Sequence, residues 1–409
     1  MMNEKITIEN FGRIQKATIP LNRINIFIGP QASGKSVTAK LVYFFKELFN
    51  HLSTEVLLKN KDIDEGIKSY TKLFYDYFPR PTYDKTNSFS IKYELNDHSI
   101  TLKRENYGEV SFEFSEAYID LFALLKKLRK EYSPSSHEYD LIKLKPLKAY
   151  LDYRLEKFKS NLDSNVFIPA GRSFFSNLEN SIFTFVHNEV PIDKFLSQFG
   201  MLYERVKTTH LIGNSAYKDI EFIEQLISEI IVGEYIRHND EDHINLKDGN
   251  SIPVSQASSG QQEALPMMLI MKDLVYLDTG NRSVFVEEPE AHLFPSSQQK
   301  IVKLIATIFN APKHQHQFTI TTHSPYILTS FNNLLQAGIA ENELSEKEKL
   351  YKIINKFEIL QPGTVNAFLM KDGGVQNIVD EEYGLIQAEL IDSVSEDISL
   401  EFEQMLDLI

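Results

Sequence analysis

The chain has 409 residues, of which 42% are hydrophobic, with no cysteine and a formal net charge of −14. That length suits two or three domains, or one large domain with an insertion, and the apolar fraction supports a real core. The absence of cysteine excludes disulfides, thiolate zinc sites and cysteine nucleophiles, and the acidic balance argues against a surface that coats nucleic acid throughout. No apolar run is long enough to span a bilayer. The opening residues also lack the basic-then-apolar order of a secretion signal, so the expectation is a cytoplasmic protein without membrane contact.

In chain order, residues 5–28 read as short strands around Asn10-Phe11-Gly12, ending in the apolar run Ile24–Ile28. Phe11 is read as a core residue, with stacking on a nucleotide base as the alternative. Gly29-Pro30-Gln31-Ala32-Ser33-Gly34-Lys35-Ser36 then has the spacing of a phosphate-binding loop, glycine, four residues, Gly-Lys-Ser, followed by a helix from Val37 to about residue 50. Glycines let the backbone wrap a polyphosphate with its N–H groups turned inward. Lys35 is placed to reach the β/γ-phosphates and Ser36 to ligate Mg²⁺, while the helix N-terminus adds its positive end. Gly29 through Val37 are therefore the candidate ATP-binding residues.

From 51 to 165 the pattern changes. Helices are expected over 63–78, 117–132 and 141–159, with strands at 88–95 and 98–104 joined by an Asn96-Asp97 turn. A further strand is expected at 109–114. Lys126, Lys127, Arg129, Lys130, Lys143, Lys145, Lys148, Arg154, Lys157 and Lys159 make the second half of this segment basic, which solvated helix faces explain first. Strand-like runs return at 166–169, 284–286 and 318–321. The expected architecture is an α/β nucleotide-binding domain in two parts, 1–50 and 166–409, with a mixed insertion at 51–165 acting as a lid or oligomerisation element.

Three further stretches carry chemistry. Ser258, Ser259, Gly260 and Gln261 open a helix over 264–274, where free N–H groups face an anion; a small-residue helix cap explains the same pattern. The apolar run 284–286 ends in Glu287 and Glu288, the arrangement a metal-dependent phosphoanhydride hydrolase needs: Glu287 for Mg²⁺ and Glu288 as general base for water. Thr321-Thr322-His323-Ser324-Pro325 follows another strand, placing His323 to contact a γ-phosphate or the attacking water. His314 and His316 flank Gln315 and read as a solvated turn rather than a metal site. After Asp372 the chain carries no Lys or Arg, and apolar residues at helical spacing (Leu385, Ile386, Leu390, Ile391, Val394, Ile398, Phe402, Met405, Leu406) predict a packed acidic helical end.

Together, in this order, these elements resemble an ABC-type ATPase of the SMC/RecF/OLD branch, with Walker A at Gly29–Ser36, a signature at 257–261, Walker B at 284–288 and a switch histidine at His323. The wording Glu287-Glu288-Pro289-Glu290-Ala291-His292-Leu293 resembles OLD-like bacterial AAA-type ATPases rather than transporter cassettes, which place Asp where Glu287 stands. Phe167-Ile168-Pro169-Ala170-Gly171-Arg172-Ser173 resembles a segment of the same group, making Arg172 a candidate phosphate or subunit contact. Gln31 and Ser259 depart from the usual Asn and Gly. The resemblance implies a head-to-head dimer in which Ser258 and Gly260 of one subunit touch the γ-phosphate held by another, with hydrolysis releasing the pair.

OLD-family nucleases continue into a Toprim domain after the switch histidine, whereas the residues here resemble the closing segment of the ATPase alone. The chain thus resembles the ATPase subunits of two-gene bacterial anti-phage systems, such as the AriA component of PARIS and the PtuA component of Septu. That implies a separate Toprim-like or HNH nuclease effector, released on sensing a phage protein. The competing expectation is a RecF- or SMC-like DNA-maintenance ATPase whose DNA contact is the basic stretch from Lys126 to Lys159.

Overall fold

The computed structural model describes residues 3–84, 87–131, 164–178, 193–209, 220–238, 241–276, 280–312, 315–387 and 404–405. Glu4–Phe11 (β1) and Ile14–Leu21 (β2) pair antiparallel, with Ile6, Ile8, Ala17 and Ile19 turned into the core and Gly12 in the left-handed region at the turn (φ 63°). Ile24–Ile28 (β3) is buried along its whole length because it separates two cores. Phe27 packs on one side, and Ile24, Ile26 and Ile28 on the other. Two-sided burial explains why this strand reads as a continuous apolar run.

Lys35–Ser53 (α1) leaves the glycine-rich loop at Gly34, and Ile63–Tyr77 (α2) follows it. The Asp62 backbone N–H donates to the Glu65 carboxylate at 3.0 Å, one arm of a capping box that starts α2. Phe89–Leu95 (β4) and His98–Arg104 (β5) form a hairpin, with Asn96 at φ 54°, and Val110–Phe114 (β6) pairs with β5. These strands extend the sheet that β1 begins, in the order β2-β1-β4-β5-β6. Glu116–Glu131 (α3) carries the first four residues of the basic stretch, Lys126, Lys127, Arg129 and Lys130; Lys143, Lys145, Lys148, Arg154, Lys157 and Lys159, and the helix expected over 141–159, lie outside the described residues.

Ser164–Ile168 (β7) leads into a helical layer of Ser173–Leu178 (α4), Lys194–Thr209 (α5) and Ile220–Ile231 (α6). A small antiparallel sheet comes next: Glu234–His238 (β8), Glu241–Asn245 (β9) and Ser251–Pro253 (β10). Ser259–Tyr276 (α7) contains Pro266, which cannot donate to the Gln262 carbonyl four residues back. Ser176 Oγ donates to that carbonyl instead, at 3.2 Å. The chain closes with Arg282–Glu287 (β11), Pro295–Phe309 (α8), Gln317–Thr322 (β12), Pro325–Glu343 (α9), Lys347–Tyr351 (α10), Val365–Lys371 (β13) and Gly374–Asn377 (β14). The central sheet runs β14-β13-β3-β12-β11-β7, parallel except for β14. The fold is α/β, as expected, with a parallel central sheet.

Phe11 is fully buried among Phe74, Phe78, Tyr83 and Phe89, so it is the core residue expected and the base-stacking alternative falls away. Two expectations are corrected. His316 is also fully buried, and its Nδ1 accepts from the Arg282 backbone N–H at 3.2 Å, so it does not belong to a solvated turn; His314 lies outside the described residues. Leu385 and Ile386 are not helical: Ile386 forms a bridge with Val379, its backbone held on both sides by the Asn332 side chain. Of the remaining apolar positions in the tail, Met405 is helical and exposed, and the others lie outside the described residues.

Candidate nucleotide site

Parallel register gathers the candidate residues. Thr322 of β12 pairs with Ile28 of β3, and Glu287 of β11 pairs with Thr321, so three strands end level with one another. The loops after β3, β11 and β12 emerge at this carboxyl edge, where open α/β sheets bind ligands.

In the first loop, Gly29 (φ 148°) and Gly34 (φ 105°) are glycines for steric reasons. A Cβ at Gly29 would lie 2.1 Å from the Met370 carbonyl oxygen, and one at Gly34 would lie 2.8 Å from Ile14 Cγ1. Ala32 also takes a left-handed conformation, at φ 58°. Pro30, Gln31 and Ala32 are exposed, whereas Ser33, Ser36 and Val37 are half-buried. Lys35 is buried and donates to the Gly29 and Pro30 carbonyls, both at 2.7 Å. Burial lowers its pKa, against the opposing charges of Glu288 and Glu290.

His323 connects the loop to the acidic strand end. Its Nδ1 lies 3.5 Å from Lys35 Nζ, and its Nε2 lies 3.4 Å from Glu288 Oε1. Both contacts are satisfied when Nε2 carries the proton. Glu288 takes a left-handed conformation (φ 44°) directly after β11, and its N–H donates to the Thr321 carbonyl at 2.8 Å. Non-glycine residues hold such backbone angles where the surroundings impose them, often at functional sites. Both side chains remain partly open to solvent.

Glu287 is buried, and its Oε1 has no hydrogen-bond partner; the same holds for Ser33 Oγ, Thr321 Oγ1 and Glu290 Oε2. Buried polar atoms without partners are uncommon, and here they cluster along one edge. A phosphate-bound cation suits this set: Glu287 Oε1 is an unpaired anionic oxygen and Ser36 is the first-turn hydroxyl.

The turn at 258–261 lies beside the loop that follows β11. Ser258 and Gln261 form a reciprocal cap, with the Ser258 N–H and hydroxyl donating to Gln261 Oε1 at 3.1 and 3.0 Å. Gln261 also donates from its Nε2 to the Ile231 carbonyl, anchoring α7 on α6. Ser258 and Ser259 stay exposed. A Cβ at Gly260 would stand 2.8 Å from the His292 carbonyl oxygen, so the loop 289–294 can lie against this turn only if the residue is glycine.

Arg172 is fully buried and its contacts are internal. It donates to the carbonyls of Pro169, Glu287, Glu288 and Glu263, and its guanidinium lies 3.4 Å from the Glu263 carboxylate. Burial lowers its pKa, against the nearby carboxylates, Glu263 foremost. Glu263 is a residue that sequence reasoning passed over, although a single carboxylate at the head of an apolar helix is a readable signal. Its own burial favours the neutral acid, but Arg172 and the N–H groups of Arg172 and Ser173 outweigh that and hold its pKa low.

A glycine-rich loop between a central parallel strand and a helix, with paired carboxylates at the end of β11, one strand beyond β12, defines a P-loop ATPase fold. The chain belongs to the AAA_15 family of AAA ATPase domains, whose family model matches residues 1–328. That membership implies nucleotide binding. None of the curated proteins matches the chain. Among solved structures, the SMC head domain from Thermotoga maritima is similar at 12% identity and a TM-score of 0.38, covering 92% of this chain and 98% of that one. An Smc head domain with an extended coiled coil, bound to the C-terminal domain of ScpA and derived from Pyrococcus furiosus, has 12% identity and a TM-score of 0.40, covering 98% and 100%. An Smc head domain with a coiled coil and joint from Pyrococcus yayanosii has 11% identity and a TM-score of 0.42, covering 97% and 100%. Among the described residues no helix is long and apolar enough to cross a membrane, and no group of three or more His, Cys, Asp or Glu is placed to hold a metal.

Proposed function

We propose that the chain binds and slowly hydrolyses ATP, and that this cycle controls its association with a second copy and with a separate effector protein. The observation that carries the ATPase reading is the Lys35–His323–Glu288 chain of contacts at 3.5 and 3.4 Å, formed by three loops brought level by β-sheet register. In this reading Gly29 to Val37 enclose the phosphates and Lys35 moves from its loop carbonyls to the β/γ oxygens. Ser36 and Glu287 would hold Mg²⁺, which would supply charge neutralisation at the phosphates. Glu288 takes the proton of the attacking water, and His323 donates to the γ-phosphate or fixes that water. The exposed Ser258 and Ser259, with Gly260 and Gln261, cap the nucleotide of a partner copy.

The effector part of the reading rests on motif wording shared with ATPase subunits of two-gene anti-phage systems, AriA of PARIS foremost. There the ATPase would hold a Toprim-like or HNH nuclease and free it when a phage protein is sensed. A RecF- or SMC-like DNA role is the second reading, favoured by Lys126, Lys127 and Lys130 on α3. One experiment separates them. The chain is expressed with its neighbouring genes, purified with ATP and Mg²⁺, and assayed for phosphate release, for a stoichiometric protein partner and for DNA binding. ATP turnover with a partner that leaves on exposure to phage protein supports the first reading; DNA-stimulated turnover without a partner supports the second.

A further inference from the structure

A third carboxylate stands in the site with no part in the hydrolysis just described. Glu290 lies on the loop after β11, and its Oε1 accepts from Thr322 Oγ1 and from the His323 backbone N–H, each at 2.7 Å. Its Oε2 is buried without a partner. The loop that carries His323 is held otherwise at Ser324, whose hydroxyl donates to Gln298 at 2.5 Å and caps α9 by accepting from the Tyr326 N–H. Thr322 Oγ1 also accepts from the Ser324 N–H at 2.9 Å, so the hydroxyl that Glu290 orients in turn orders the next residue. Glu290 thus grips the backbone of His323 itself, while the imidazole of that residue spans the distance between Lys35 and Glu288.

We propose that Glu290 is a positioning residue for ATP hydrolysis, anchoring the Thr322–His323 backbone so that the imidazole sits between Lys35 and Glu288. The inference rests on the ATPase reading of the site. A charge-assisted hydrogen bond to a backbone N–H is strong and directional, and small displacements of a group acting on the reacting atoms cost large factors in rate. Glu290 touches neither nucleotide nor water in this scheme; its positioning effect passes through His323, and the pull of its charge on Lys35 is a separate effect that Glu290→Gln removes without releasing the His323 backbone.

That restriction makes the proposal testable by a double-mutant cycle. Glu290→Ala should lower kcat roughly 10- to 100-fold while leaving KM for ATP nearly unchanged. Glu290→Ala combined with His323→Ala should be no slower than His323→Ala alone. Glu290→Gln, whose amide oxygen still accepts both donors, should recover most of the rate. Independent multiplication of the two alanine effects would overturn the proposal, as would a Glu290→Gln variant as slow as Glu290→Ala. Histidine-selective ¹⁵N NMR gives a readout that needs no turnover: the His323 ring resonances should move in Glu290→Ala and stay in Glu290→Gln. An unmoved ring would equally overturn it. If the wild-type protein releases no phosphate, the ATPase reading fails, and the ring resonances still decide whether Glu290 positions His323.

Discussion

Arg172 and Glu263, ninety-one positions apart in the chain, form a fully buried ion pair at 3.4 Å that joins the connection between β7 and α4 to the start of α7. Because the same guanidinium donates to the Glu287 and Glu288 carbonyls, the signature-like turn and the acidic strand end share one support.

Arg172→Met should therefore destabilise the protein by about 3–5 kcal/mol, the range for a buried ion pair broken on one side. Adding Glu263→Met should recover only part of that loss, because four backbone carbonyls still lack the donor they had. Urea unfolding of the two variants checks this; a single-mutant loss below about 1 kcal/mol would contradict the buried-pair account.

Lys35→Ala should abolish ATP binding and leave the fold largely intact. The ammonium satisfies two loop carbonyls here, and Pro30 is exposed, so water can take over part of that role. Isothermal titration with ATP and Mg²⁺, beside circular dichroism of the same sample, measures both halves. Wild-type affinity in the variant would remove Lys35 from the site.

Glu288→Gln should bind ATP and retain it, with hydrolysis reduced roughly 10²- to 10⁴-fold as expected for a lost general base. Ser258→Arg should leave nucleotide binding unchanged and prevent ATP-dependent association. Size-exclusion profiles with ATP should show the Glu288→Gln protein as a dimer or larger assembly. Identical profiles for the wild type and Ser258→Arg would argue against a site shared between copies.

Glu47 gives a pH prediction away from the site. Burial pushes its carboxyl up to about 7, only partly offset by the hydrogen bond from Asn165 Nδ2 at 2.6 Å. A raised folded-state value means that the folded protein binds the proton more tightly than the unfolded chain. Stability is therefore lost as pH climbs from the ordinary carboxyl range toward about 7, and levels off above it. Glu47→Gln should be more stable than wild type at pH 8, by an amount of order 1–3 kcal/mol, with the advantage shrinking toward pH 5. Urea midpoints across that range test it; a constant offset would show that the charge is not responsible.

What was legible in the sequence was mostly what is local. The glycine-rich loop announces itself because Gly29 and Gly34 have no steric alternative, and β3 and β11 because two-sided burial leaves neither strand a solvent-facing position. Asn25 hides its polarity by bonding the Asn22 backbone on both sides. The α2 cap at Asp62 and the Asn96 turn are likewise short-range signals. The partners of Arg172 were not legible: a lone arginine after Pro-Ala-Gly looks equally suited to a phosphate, and only the folded chain brings Glu263 to it. Glu290 was visible as motif wording, but its grip on His323 depends on β11 and β12 lying side by side. Leu385 and Ile386 have helical spacing, yet the Asn332 side chain takes up the Ile386 N–H and carbonyl and holds them in an extended bridge.

The pairing of β3 sets a timetable for synthesis. Ile24 finds its neighbours at Phe318 and Val365, whereas β1 meets β2 within a few residues. At about 5–20 residues per second, the first partner of β3 emerges from the ribosome roughly 15–60 s after the strand itself. Until then its apolar faces have no sheet to join, and such late, long-range strand pairing is intrinsically slow. The glycine-rich loop hangs from that strand, so a half-made chain can carry every residue of the loop and still offer no neighbouring strand ends to frame a nucleotide. A nucleotide site framed by these strand ends can therefore form only after β12 has been made.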